Sequence, residues 1–285
     1  MHQSSLCYGR LFAPRQKWKN TLEKKQNPLF VATLAKGLRL LRVFDESHVS
    51  LSLAELVKLT GLEKSAVQRM AHTLHQEGML ERDPGTRRYR PSHAWLELAY
   101  AYYWSDPLIS RALPKVVEFS RAYGETVNLA QISGDHIIYS LRLPNQRTQF
   151  AASIVGRRLP ALGTASGRVM LATWSDEEVA HALETWPLHA MTPKTVTDRA
   201  AIADGIAQAA QDGYSLTQGQ MILNEISLAV SITGIDGRAN AALQVSVSSH
   251  SFDIERVKEE LLPALLDTAS GIPGETLTPE TRLGS

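Results

Sequence analysis

Residues 51–91 read LSLAELVKLTGLEKSAVQRMAHTLHQEGMLERDPGTRRYRP, and this stretch decides the fold of the first third of the chain. Ser52 precedes Leu53, Leu56, Val57 and Leu59, with Glu55 three residues on. Ser-x-x-Glu ahead of an apolar run is a capping box, in which hydroxyl and carboxylate satisfy the free amides of a helix start. That helix stops at Gly61, since a residue without a Cβ adopts the left-handed conformation cheaply. A second helix is expected over 64–77, ending at Gly78. Val67, Met70, Ala71 and Leu74 fall on one of its faces by i, i+3, i+4, i+7 spacing. The opposite face carries Lys64, Ser65, Gln68, Arg69 and His72. Two short arms, 79–82 and 87–90, flank Asp83-Pro84-Gly85 and predict a β-hairpin rich in arginine. Upstream, Val31, Leu34, Leu38, Leu41 and Phe44 recur at helical spacing.

Helix, glycine turn, helix and basic hairpin, in that order, form a winged helix-turn-helix, which places the start of its second helix in the major groove. The expected DNA contacts are Ser52, Lys64, Ser65, Gln68, Arg69, His72, Arg82, Arg87 and Arg88. Each of these alone reads more simply as part of a solvated face; the assembly points to double-stranded DNA. Charge agrees. Residues 1–92 hold 16 basic and 8 acidic side chains, a net +8, and the remainder holds 14 basic and 21 acidic, a net −7. A basic first third on an acidic remainder is the footprint of a polyanion-binding module joined to something else.

The rest of the chain is mixed. Residues 1–27 are basic and polar without periodicity, and are expected to be a disordered tail, as are residues 271–285. The winged domain should span 28–92 and an apolar, aromatic linker helix 93–106. That helix carries Trp95, Leu96, Leu98, Tyr100, Tyr102 and Tyr103, so burial against a second copy of the chain is expected. A second domain over 107–270 should have helices at 108–123, 165–174, 176–184, 200–211 and 255–269, with strands at 126–132, 137–143, 226–232 and 241–247. In the last two strands Ile226, Leu228, Val230 and Ile232 alternate with Ser227, Ala229, Ser231 and Thr233, and Leu243, Val245 and Val247 with Gln244, Ser246 and Ser248. The small polar face reads either as one wet side of an antiparallel sheet or as the lining of a ligand cavity.

Several classes are excluded. No apolar run approaches the ~18 residues of a membrane span. A single cysteine, Cys7, permits no intrachain disulfide, which suits a reducing cytoplasm. The nucleophile elbow G-x-S-x-G is missing, since Gly163-Thr164-Ala165-Ser166-Gly167 sets its serine one place late. There is no H-E-x-x-H and no phosphate loop. The chain is therefore expected to be no enzyme and to need no metal or cofactor. A regulator with a purely oligomerising second domain, and an enzyme with a DNA-binding appendage, are the alternatives.

Residues 51–91 resemble the winged helix-turn-helix of the IclR family of bacterial transcription regulators. YGETVNLAQ, GRRLPALGTASGRVMLA, DGYSLTQGQ and ISLAVSITGIDGRANAALQVSVSS follow in that family's order, so the resemblance covers roughly residues 31–270. It implies an α+β chain: winged helix-turn-helix, linker helix, then a GAF-like α/β effector-binding domain with an antiparallel sheet. It also implies a homodimer or homotetramer on a palindromic operator, answering a small-molecule effector in the cytoplasm, at the nucleoid. Effector contacts fall at Ala165, Ser166, Thr217, Ser227, Gln244 and Ser246, and Thr164 begins a helix whose amides suit an anion. Tyr139, Arg142 and Arg147 are further candidates. The VGRRLP segment, 155–160, is similar to the branch tied to aromatic-acid catabolism. Departures are Ala66 for a threonine, Thr217, Gln218, Gly219 and Gln220 where acidic residues and a glutamate are usual, and Ser227 for a cysteine. These make the pocket less acidic than the family pattern.

Overall fold

The computed structural model describes residues 29–145 and 155–274. The expected tail 1–27 and Arg147 lie outside these residues. The chain divides into two compact units between Ser105 and Asp106.

The first unit contains α1 (Ala32–Leu41), α2 (Leu53–Thr60), α3 (Lys64–Gln76), β1 (Leu80–Arg82), β2 (Tyr89–Pro91) and α4 (Ala94–Ser105). Both halves of the capping box form at Ser52, and Gly61 ends α2 at φ 65°. Leu51 exchanges backbone hydrogen bonds with Tyr89, adding a third short strand segment to the wing. Leu40, Phe44, Leu51, Leu56, Val67, Ala71, Leu80 and Tyr89 close the core. The start of α4 is pinned to that core: Trp95 Nε1 donates to the Met79 carbonyl at 2.9 Å and its ring meets Phe44 edge-on at 6.2 Å. No residue of α4 is buried, and Leu96, Leu98, Tyr100, Tyr102 and Trp104 stand exposed.

The second unit contains α5 (Pro107–Tyr123), β3 (Thr126–Ser133), β4 (His136–Leu143), β5 (Arg158–Pro160), a 3-10 turn at Ala161–Gly163, α6 (Ala165–Leu171), α7 (Asp176–Thr185), α8 (Arg199–Asp212), β6 (Tyr214–Gln218), β7 (Glu225–Thr233), β8 (Ala239–Ser248), α9 (Ile254–Glu260) and α10 (Leu262–Ser270). The strands form one antiparallel sheet in the order β5-β4-β3-β8-β7-β6, two three-stranded meanders joined through β3 and β8. Helix α6 packs on one face, and α5 and α10 pack on the other. The middle of β7 is dry on both faces, with Ser227, Leu228, Ala229 and Val230 all buried, and only its end at Thr233 is exposed. The reading of a solvated polar face is thereby corrected.

Three further expectations change. Strands β5 and β6, three and five residues long, had no periodic signal of their own. The single helix over 255–269 is two, because Pro263, in the first turn of α10, has no amide to continue the ladder of α9. The tail expected from residue 271 does not begin there: Ile272 is buried and its amide bonds the Ala269 carbonyl at 2.9 Å.

Candidate functional site

Helix α3 presents Lys64, Ser65, Gln68, Arg69 and His72 together on its exposed side. They are not equally available. The N-cap of α3 is Glu63, whose carboxylate takes the Ser65 and Ala66 amides at 2.9 and 3.2 Å and the Ser65 hydroxyl as well. The Ser65 hydroxyl, then the amides, hold Glu63 below the usual carboxylate range. Ser65 is thus spent locally. So is Ser52, whose hydroxyl donates to Glu55 at 2.7 Å and accepts the Glu55 amide; with Arg88 it draws Glu55 down to about 2. Arg88 donates to the Ser50 carbonyl at 2.6 Å and pairs with Glu55 at 2.9 Å, tying the wing to the start of α2. Arg82 is exposed beside the Tyr89 ring, and Arg87 sits at the wing tip at φ 58°. The nine candidates separate into three supports, Ser52, Ser65 and Arg88, Arg82 against the Tyr89 ring, and five side chains with no hydrogen bond or ion pair among the described residues, Lys64, Gln68, Arg69, His72 and Arg87.

The second unit holds a small pocket open to solvent. It is built on the small-residue face of the sheet. The ladder aligns Thr217 with Ser227 and Ser227 with Ser246, and in the next row Ala229 with Gln244, Gln244 with Asn128 and Asn128 with Arg142. Strict alternation would send Tyr139 and Arg142 to opposite faces of β4. A register shift between Leu129 and Ala130 pairs Ala130 with Tyr139, so both side chains reach the pocket.

The lining polar groups bond one another. Gln244 Nε2 donates to Tyr139 Oη at 3.1 Å and to Ser246 Oγ at 3.0 Å, and Ser166 Oγ donates to Gln244 Oε1 at 2.5 Å. Ser227 Oγ donates to Glu225 Oε1 at 2.8 Å. Of the seven expected effector residues, Thr164, Ala165, Thr217, Ser227, Gln244 and Ser246 line the pocket, and Ser166 stands behind Gln244. The anion argument from the start of α6 weakens: the helix has seven residues, and the Thr164 hydroxyl already takes the Gly167 amide at 3.0 Å.

Charge enters from residues outside the seven. Arg142 and Arg157 line the pocket with Glu225. Burial pushes the Glu225 carboxyl up, and pulls Arg142 down. Extending the β7 alternation back two residues from Ser227 would have found Glu225; Arg157 stands within the quoted VGRRLP. Met221 and Ile222 close the rim from the β6–β7 loop, whose base is held by Thr195 Oγ1 donating to the Gln220 carbonyl at 2.6 Å. Behind the pocket the buried Arg168 donates to Gln220 Oε1 and the Leu162 carbonyl, both at 2.9 Å, and burial alone pulls it down to about 10. Among the described residues no three His, Cys, Asp or Glu side chains gather as metal ligands, and no helix is long and apolar enough to cross a membrane.

The chain is similar to known proteins over both units. Residues 33–84 match the model of the IclR helix-turn-helix domain, and residues 100–273 the model of the bacterial transcriptional regulator IclR C-terminal domain. The Pca regulon regulatory protein of Pseudomonas putida is 31% identical over 241 residues, 84% of this chain and 82% of that protein. The regulator XynR of Escherichia coli K12 is 27% identical over 248 residues, 85% and 98% of the two chains. A crystal structure of an IclR homologue from Microbacterium hydrocarbonoxydans, complexed with 4-hydroxybenzoate, is 25% identical with a TM-score of 0.70, covering 84% of this chain and 97% of that one. With a winged helix-turn-helix ahead of an α/β domain built on an antiparallel sheet, and with family models matching both, the chain belongs to the IclR family of bacterial transcriptional regulators.

Proposed function

We propose that the chain binds a palindromic operator as a homodimer or homotetramer, and that a small carboxylic or aromatic acid in the pocket of the second unit controls that binding. The observation that carries the sensing half is the pair of guanidiniums, Arg142 and Arg157, brought to a pocket floored by small polar side chains. Burial disfavours the Arg142 charge and its Nε has no partner among the described residues, which favours an anionic ligand. The 4-hydroxybenzoate complex of a relative supports the class of acid. Regulation rather than catalysis fits the relatives, which are transcriptional regulators.

Thermal-shift screening against short-chain and aromatic acids tests the sensing half, because a ligand that binds only the folded state raises its melting temperature. A flat response to every acid favours a second domain that only oligomerises. For DNA, R69A is expected to weaken operator binding by about 1–3 kcal/mol, roughly 5- to 150-fold, with an unchanged melting temperature. Unchanged affinity at fixed salt would remove Arg69 from the interface. S227L should spare operator binding and abolish the response.

The carboxylate of Glu63 at the start of α3 makes a further test. E63Q removes a negative charge from the end of the helix expected to meet phosphates. Affinity for any duplex should rise several-fold at low salt and the gain should fade as salt is added. Fluorescence anisotropy across a salt series reads both; a loss of affinity would mean that Glu63 matters mainly as a cap.

A further inference from the structure

We propose, resting on the sensing role above, that the pocket is polarised end to end and selects acids with one carboxylate and a hydrogen-bond donor at the far end. The carboxylate lies toward Arg142 and Arg157, the donor toward Glu225, and dicarboxylates of the same length are rejected.

The sheet sets the two ends apart. Arg142 stands on β4 and Glu225 on β7, with β3 and β8 between them. Three ladder steps of about 4.8 Å separate those backbones by roughly 14 Å before the side chains reach inward. At the β4 end, Arg142 donates Nη1 to Asn128 Oδ1 at 2.8 Å, while its buried Nε has no partner among the described residues. At the β7 end, the Glu225 carboxylate is met by the hydroxyl of Ser227 at 2.8 Å and by Ser246. Each of the two charges is hydrogen-bonded by neutral groups and acts on the other through space, with the polar side chains of Tyr139, Gln244 and Ser246 between the two ends.

A ligand hydroxyl or amine pointing at Glu225 gives a charge-assisted hydrogen bond. A second carboxylate there faces a like charge in a half-buried setting, and one of the two must take a proton. An acid without a donor leaves the Glu225 oxygens poorly served. The charged and titratable groups facing Glu225 are Tyr139 and Arg142 from β4 and Arg157 ahead of β5; β6 and β8 contribute the neutral Thr217, Gln244 and Ser246, and among the described residues no histidine lines the pocket.

Calorimetry on the full chain with 4-hydroxybenzoate, benzoate and terephthalate tests the polarity. At neutral pH 4-hydroxybenzoate should bind at least about tenfold tighter than terephthalate. Lowering the pH should narrow that gap in the wild-type protein, because a protonated Glu225 neither repels nor lacks a proton to share. E225Q should collapse the ratio to within about threefold at neutral pH, its unliganded melting temperature reporting the fold. Terephthalate binding as tightly as 4-hydroxybenzoate overturns the polarity and leaves acid sensing intact, as does a ratio that neither pH nor E225Q moves. Binding of none of the three acids overturns both.

Discussion

Replacing Gly167 with alanine is expected to destabilise the second unit by about 3 kcal/mol, the balance of a backbone clash that costs more than ordinary overpacking and a small gain in helix propensity. Gly167 lies in the first turn of α6, and a Cβ there would stand 2.0 Å from the carbonyl oxygen of Ala161 and 2.7 Å from its Cα. Both are backbone atoms, so no rotamer change relieves the clash. The turn they belong to is locked: the Thr164 hydroxyl donates to the Ala161 carbonyl at 3.1 Å while accepting the Gly167 amide, and Arg168 holds the Leu162 carbonyl. Intrinsic preference pulls the other way, since alanine in a helix gains up to about 1 kcal/mol over glycine. Gly205 in α8 provides the control, because a Cβ there meets only Arg168 Nη1 at 3.5 Å, an ordinary contact. G205A should therefore be neutral or stabilising by about 0.5–1 kcal/mol. For a unit of this size, G167A should lower the melting temperature by roughly 6–12 °C. The same substitution at two glycines should thus have opposite signs, and a G167A protein as stable as the parent would contradict the close packing of the 3-10 turn on α6.

That contact also marks a boundary of what sequence can tell. Local rules located the first unit well: the capping box at Ser52, the left-handed Gly61 and the i, i+3, i+4, i+7 face of α3 are read within a few residues and recur in the structure. The cap of α3 by Glu63 was not legible, because glutamate is a weak N-cap type and its role rests on geometry. In the second unit, the alternation of β7 and β8 identified the polar face that becomes the pocket floor. It did not identify the charges on it. The register shift that turns Tyr139 and Arg142 to one side is a property of the pairing of β3 with β4, not of β4 alone. Arg168 and Gln220 are 52 residues apart in the chain and meet only through the fold. Sequence reading thus underestimated the ionic character of the pocket: it weighed the neutral Gln218 and Gln220 against a family pattern, while Glu225, two residues from Ser227, supplied a carboxylate from the start of the strand.

The other large effect is expected on α4. Leu96, Tyr100 and Trp104 follow one another at i, i+4, i+8, and they are 68%, 67% and 64% exposed. The Tyr100 and Trp104 rings touch edge-on at 6.1 Å, so this is one continuous apolar stripe. On α1, Val31 caps a helix from which Leu34 and Leu38 also project into solvent. Monomeric proteins rarely leave contiguous apolar surface of this kind in water, and a second copy with the same stripe could cover it about a two-fold axis. A two-fold DNA-binding domain is also what a palindromic operator requires, since the two recognition helices must reach half-sites about one helical turn apart. The double substitution L96E/Y100E puts two carboxylates on that stripe, where each would face its counterpart across the axis. Sedimentation should show the assembly shifted toward smaller species, and affinity for the intact palindrome should fall about a hundredfold or more, as two linked contacts become two separate ones. Affinity for a single half-site and the helical content should stay as they were, because neither position belongs to the Leu40–Tyr89 core. If the variant kept the parent's oligomeric state and its preference for the full palindrome over a half-site, the α4 stripe would not be the surface that brings two copies together.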